Sequence, residues 1–242
     1  MIVARAAVAG TRTGISYWQL IEDDGAKSFY KMDETSGTTC FDYGVNDVDG
    51  TYFNTPTLNQ NGPSGAIPKA VLFETANTEY METAENADFN VNANSNWSGD
   101  CWVKYNDTGT TLRALYAIRQ LSGDDGSLFI LLTNFTVAGR ISVQVRLNNS
   151  TTLTLNHDGG WNDNNWHHVA VTATSGGAAR LYIDGVERAS SSSTRVNNTN
   201  SRRVYLATNA GAQLFTGTIA APAYYNRTLS ATEVDEHYQA GI

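Results

Sequence analysis

The apolar positions of this chain recur with period two in short runs, and clusters of turn residues separate the runs. Ile141, Val143, Val145 and Leu147 alternate with Ser142, Gln144 and Arg146, the pattern of a strand with one face in a core and one in water. Leu153 and Leu155 continue the alternation, and Cys101, Val103 and Tyr105 share one face of another run. Residues 114–119 and 128–132 are mostly apolar throughout and read as buried strands. Leu181-Tyr182-Ile183 and Val186-Glu187-Arg188 flank Asp184-Gly185, which predicts a tight hairpin because both turn positions need positive φ. Val71-Leu72-Phe73 and Tyr80-Met81 are expected to form a second hairpin around Ala76-Asn77. Residues 42–50 and 54–68 are expected to be loops, the latter marked by Pro56, Gly62, Pro63, Gly65 and Pro68. Val204-Tyr205-Leu206 and residues 215–225 supply the last strands.

One helix stands out. Ser230-Ala231-Thr232-Glu233 is a capping box, in which the Ser hydroxyl and the Glu carboxylate satisfy free amides of the first turn. Val234 and Tyr238 would then pack one face onto the body, and Gly241 can end the helix. Residues 1–27 show no sustained period and are read as an extended arm able to add a strand to a neighbour. Residues 28–242 form one domain. The predicted class is all-β: a sandwich of two antiparallel sheets with one short C-terminal helix and an extended N-terminal arm.

Composition narrows the function. A length of 242 residues suits one large sandwich. With a net charge of −8 the chain is a poor binder of phosphate backbones, so nucleic acid is not expected as a partner. The first 21 residues differ, holding Arg5 and Arg12 and no acid. No run of apolar residues is long enough to span a membrane. The N-terminus lacks the hydrophobic core of a secretory signal, so folding in the cytoplasm of the producing cell is expected. Cys40 and Cys101 have no metal-type spacing and are expected to be buried free thiols.

Four stretches in order resemble the laminin-G-like, concanavalin-like jelly-roll family. They are Phe29-Tyr30-Lys31-Met32-Asp33-Glu34 leading to Asp49-Gly50-Thr51-Tyr52; Asn165-Trp166-His167-His168-Val169-Ala170-Val171; Leu181-Tyr182-Ile183-Asp184-Gly185; and Phe215-Thr216-Gly217-Thr218-Ile219 with Tyr225-Asn226-Arg227-Thr228-Leu229-Ser230. The resemblance covers residues 28–240 and implies a jelly-roll sandwich. Members of the family include sugar-binding, protein-binding and structural domains, so function has to come from the site. Related domains often hold Ca²⁺ at a sandwich rim. Asp42, Asp47 and Asp49, with Asn46, form an oxygen-rich loop suited to it. The family's acidic pair after Ile219 is replaced here by Ala220-Ala221-Pro222, which weakens that expectation.

Catalysis is not expected. His167 and His168 are adjacent on a strand and point to opposite faces, and a structural His packed beside Trp166 with a backbone partner is the expected reading. Glu233-Val234-Asp235-Glu236 echoes the carboxylate cluster of related glucanases, but it follows a capping box and so lies on a helix. A glycan site is expected at Trp161, Asn162, Asp163 and Asn164, where an aromatic face adjoins amide and carboxylate partners, with Trp97, Asn94 and Asn96 as the next candidate. Trp102 and Trp166 are expected in the core. The build points to a non-catalytic structural or binding protein: a phage virion component, on capsid or tail, assembled in the host cytoplasm. Its anchor would be Ile2, Val3, Val8, Ile15, Tyr17 and Trp18, docking on virion proteins or on copies of itself. The alternatives are an extracellular lectin module that binds a cell-surface glycan and, third, a sandwich glycoside hydrolase.

Overall fold

The computed structural model describes residues 12, 14–89, 91, 95–119, 129–134, 136–146, 152–176, 178–192 and 202–242. Among them the chain runs through α1 (Tyr17–Asp23), β1 (Ser28–Phe29), β2 (Thr39–Cys40), β3 (Gly50–Phe53), β4 (Thr57–Asn61) and β5 (Lys69–Phe73). Next come β6 (Tyr80–Thr83), β7 (Trp97–Lys104), β8 (Arg113–Arg119), β9 (Phe129–Thr133), β10 (Arg140–Arg146) and β11 (Thr152–Asp158). The chain ends with β12 (His167–Ala173), β13 (Ala179–Ile183), β14 (Val186–Ser191), β15 (Arg203–Leu206), β16 (Gly217–Tyr225) and α2 (Ala231–Gly241). The strands form two eight-stranded sheets. The first has the order β14-β13-β12-β7-β16-β5-β4, with β1 paired to β16, and the second β11-β10-β9-β8-β15-β6-β3-β2.

The sandwich core lies between the sheets. Val103, Val171 and Ile183 of the first sheet meet Leu115, Val143 and Leu206 of the second, all fully buried. The alternation along β10 is realised, with Ile141, Val143 and Val145 inside. Asp184 and Gly185 take φ of 52° and 74°, as their hairpin requires. Cys40 and Cys101 are free and buried.

The central strands of the first sheet are dry on both faces: β12 and β16 are buried at every position. Its outer face carries small residues, Ala70, Ala170, Ala220 and Ala223, so helices can approach closely. There Tyr17 and Ile21 of α1 and Val234 of α2 pack with Trp102 and Tyr225 in a second core. The capping box of α2 is formed in both directions, Glu233 N to Ser230 Oγ at 3.2 Å and Ser230 N to Glu233 Oε2 at 2.7 Å. Tyr238 stacks on Trp102 at 5.9 Å between ring centroids. A Cβ on Gly241 would lie 2.4 Å from the Trp102 ring, so glycine is needed there for close approach.

Three expectations need correction. The N-terminal segment is not extended throughout. Ser16 caps α1 by accepting from Gln19 N at 3.2 Å, and Tyr17, Leu20 and Ile21 are buried on the sandwich. Ile15 is exposed and Trp18 half-buried, while Ile2, Val3 and Val8 lie outside the described residues. Residues 54–68 are not all loop: Thr57–Asn61 is an edge strand on β5, polar because neither of its faces is fully covered. Residues 71–73 and 80–81 are not a hairpin, because β5 and β6 belong to different sheets and the turn between them crosses the sandwich.

Candidate functional site

The loop from Phe41 to Asp49 is built around one buried carboxylate. Asp42 Oδ1 accepts from Phe29 N at 3.0 Å and Gly44 N at 2.8 Å, and Oδ2 accepts from Val48 N at 3.0 Å. Burial pushes the Asp42 carboxyl upward, against the opposing pull of those amides. Asp49 Oδ1 accepts from Asp42 N at 2.9 Å, and Asp47 is exposed with φ 50°. The residues expected to hold calcium therefore organise the loop: the Asp42 oxygens, and one of Asp49, already serve backbone amides.

With Asp42 turned inward, its odd-numbered neighbours turn outward. Phe41, Tyr43 and Val45 are 49%, 44% and 76% exposed. Gly44 makes this possible, since a Cβ there would meet the Lys27 carbonyl oxygen at 2.4 Å. The loop and the end of α1 enclose a groove of roughly 190 Å³, lined by Phe29, Tyr43, Val45 and Ala26 with the polar Glu22 and Lys27. The Lys31 ammonium lies 4.2 Å from the Tyr43 ring centre and 5.5 Å from that of Trp18, which fixes both rings. Sequence reading treated this loop as polar and missed the surface. The available signal was the apolar alternation Phe41, Tyr43, Val45 inside an acidic loop.

The residues expected to bind glycan are largely engaged internally. Trp161 is half-buried, donates from Nε1 to His157 Nδ1 at 3.2 Å, meets the His167 ring edge-on at 4.9 Å and has the Arg188 guanidinium over its face at 5.5 Å. Asn162 Nδ2 donates to the Asp107 carbonyl at 2.9 Å. Asp163 accepts from Asn165 N at 2.9 Å and lies 3.1 Å from His167 Nε2, while Asn164 is exposed with φ 64°. The four are adjacent, but the indole is half-buried against the sandwich core and its Nε1 already serves His157. Trp97 is fully buried in β7, and Asn94 lies outside the described residues. Trp166 is only half-buried, under the Lys104 ammonium at 5.8 Å.

His167 and His168 do face apart, but neither is held by a backbone partner at its ring. His167 Nδ1 sits 2.8 Å from Asp184 Oδ2; burial would lower its pKa, yet Asp184 and Asp163 raise it. His168 faces the helices, beside Trp102 at 5.2 Å. There a charged network joins α1 and α2 to the first sheet. His237 of α2 places Nδ1 2.7 Å from Asp100 Oδ2 and Nε2 3.0 Å from Asp24 Oδ2. Burial would depress His237, but the two carboxylates raise its pKa to about 9. Burial likewise opposes ionisation of Asp24, but His237 and Arg12 hold its carboxyl at about 2. The acidic residues of α2 belong to the same structure: Glu236 pairs with Arg12 at 2.6 Å, Glu233 with Arg227 at 2.9 Å, and Asp235 is exposed.

No curated protein matches the sequence. The backbone is similar to the binding domain of botulinum neurotoxin serotype D, with TM-score 0.67 and 15% identity over 90% of this chain and 52% of that one. It is similar to the binding domain of botulinum neurotoxin DC in complex with SialylT, at TM-score 0.66 and 13% identity over 92% and 52%. It is also similar to the binding domain of Paraclostridial Mosquitocidal Protein 1, at TM-score 0.67 and 13% identity over 90% and 52%. The chain thus spans about half the length of these solved domains, and at such identities the likeness is one of fold. The sequence pattern of the Concanavalin A-like lectin/glucanases superfamily matches residues 75–235, more than half of the chain, and the protein belongs to that superfamily.

Proposed function

We propose that this chain is a non-catalytic glycan-binding module that seats a sugar ring against Tyr43, in the groove between the Phe41–Asp49 loop and the end of α1. The observation that carries this reading is an exposed tyrosine beside a groove of roughly 190 Å³ that also offers a carboxylate, Glu22, and an ammonium, Lys27. Sugars combine an apolar ring face with a rim of hydroxyls. An aromatic surface flanked by a few fixed polar groups matches both. The loop is preorganised by the three backbone amides that Asp42 holds, so little ordering cost falls on binding. Support of a general kind comes from fold relatives that are binding domains, one of them solved with SialylT.

The test is a glycan array that includes sialylated and neutral oligosaccharides, followed by titration calorimetry on any hit. Tyr43→Ala is expected to weaken binding at least tenfold and to leave the melting temperature within about 2 °C, as for an exposed side chain in a domain of this size. Undiminished binding by Tyr43→Ala would move the site elsewhere. For a virion role, α1 is not available as a free extended anchor, since Tyr17 and Ile21 are packed on the sandwich.

A further inference from the structure

Asp100 of β7, His168 of β12 and His237 of α2 come together beneath the two helices, each essentially inaccessible to solvent. Among the described residues they are the group of three whose candidate ligand atoms all lie within 4.8 Å of one another. His168 Nε2 is 3.5 Å from Asp100 Oδ2, the oxygen already 2.7 Å from His237 Nδ1. This leaves both ring nitrogens of His168 and Asp100 Oδ1 buried with no hydrogen-bond partner. Buried polar atoms are nearly always satisfied, and a bare His168 Nε2 facing a carboxylate with a bare oxygen of its own calls for a missing water or ion. A proton on His237 satisfies its own contact with Asp100 but does nothing for His168. Two imidazoles and a carboxylate are the donor set that suits Zn²⁺.

We propose that Asp100, His168 through Nε2 and His237 through Nδ1 bind a single Zn²⁺ that fastens α2 to the first sheet. His237 is already arranged for this role. Its far nitrogen, Nε2, lies 3.0 Å from Asp24, which Arg12 and Arg227 hold in turn, and a carboxylate at that position orients a metal-bound imidazole. On binding, the ion replaces the proton on Nδ1, that proton passes to solvent, and the Nε2–H donates to Asp24. The Tyr17 and Tyr225 hydroxyls are also buried and unpartnered, and their ionisation is opposed by burial and by the charge of Asp100.

The experiment uses the full chain without an affinity tag, unfolded in chelator and refolded with either Zn²⁺ or EDTA. After gel filtration, elemental analysis is expected to find one zinc per chain in the first sample and none in the second. At about a hundredfold excess over Kd the zinc form should melt about 5–10 °C higher. Refolding with Co²⁺ should give the visible absorption of a low-coordinate cobalt site, and His168→Phe should remove both the metal and the absorption. Failure of the wild-type chain to retain zinc, with no shift in melting, overturns the proposal and leaves a protonated His237 clamped between carboxylates. Retention of zinc by His168→Phe overturns the assignment of these ligands. If that variant does not fold, the wild-type stoichiometry and cobalt spectrum decide alone.

Discussion

Ile21→Ala tests whether α1 is part of the folded body or an appendage. Ile21 is 1% exposed and packs with Tyr17, Trp102 and Tyr225 on the outer face of the first sheet. The substitution removes three carbons from that cluster, about 2.4 kcal/mol at about 0.8 kcal/mol for each buried methylene. The sheet beneath is rigid and relaxes little, so a cavity penalty adds to this, and large-to-Ala changes at such positions cost about 2–5 kcal/mol in all. For a domain of this size each kcal/mol moves the midpoint by about 2–4 °C, so the midpoint should fall by about 4–20 °C. Scanning calorimetry on the wild type and the variant measures it directly. Glu22→Ala, on the exposed side of the same helix, is the control and should change stability by less than about 0.5 kcal/mol. If Ile21→Ala behaves like the control, α1 is not docked and its packing has been misread.

Two further outcomes follow from the same contacts. Asp24→Asn should cost about 2–3 kcal/mol at neutral pH: it deprives the buried His237 of one carboxylate, while its other partners, Arg12 and Arg227, are 31% and 36% exposed and so screened by solvent. The Asp24 carboxyl is depressed in the folded state, so its contribution is present above the unfolded value near ~3.9 and is lost as pH falls toward about 2. The gap in melting temperature between wild type and Asp24→Asn should therefore close over that acid interval, and a gap independent of pH would contradict the assignment. Trp161→Ala should lower the melting temperature, by about 1–3 kcal/mol in stability, while leaving glycan binding unchanged, because the indole is used between Arg188, His157 and His167. Loss of glycan binding without loss of stability would restore Trp161 as the sugar platform.

The features legible in the sequence are those whose physics is local. The alternation Ile141, Val143, Val145 settles a half-buried strand, because side chains in a strand point to opposite faces in turn. Asp184-Gly185 settles a hairpin through its positive φ, and Ser230 with Glu233 settles a helix start through two hydrogen bonds between residues three apart. Strands and turns of this kind, ordered along the chain, were enough to point to the sandwich. What the tertiary structure decided depends on surfaces that meet from distant parts of the chain. A seven-residue helix such as α1 is not stable by itself, so its existence rests on the alanine-rich sheet face it covers. Whether Trp161 or Tyr43 is free to bind depends on what covers each ring, and Arg188 and Lys31 come from other strands and loops. The convergence of Asp100, His168 and His237 requires a helix at the chain's end to fold back onto two central strands, 137 residues from Asp100 to His237. No period or motif records that distance, because the energy that brings those residues together lies in apolar burial around them and not in the residues themselves.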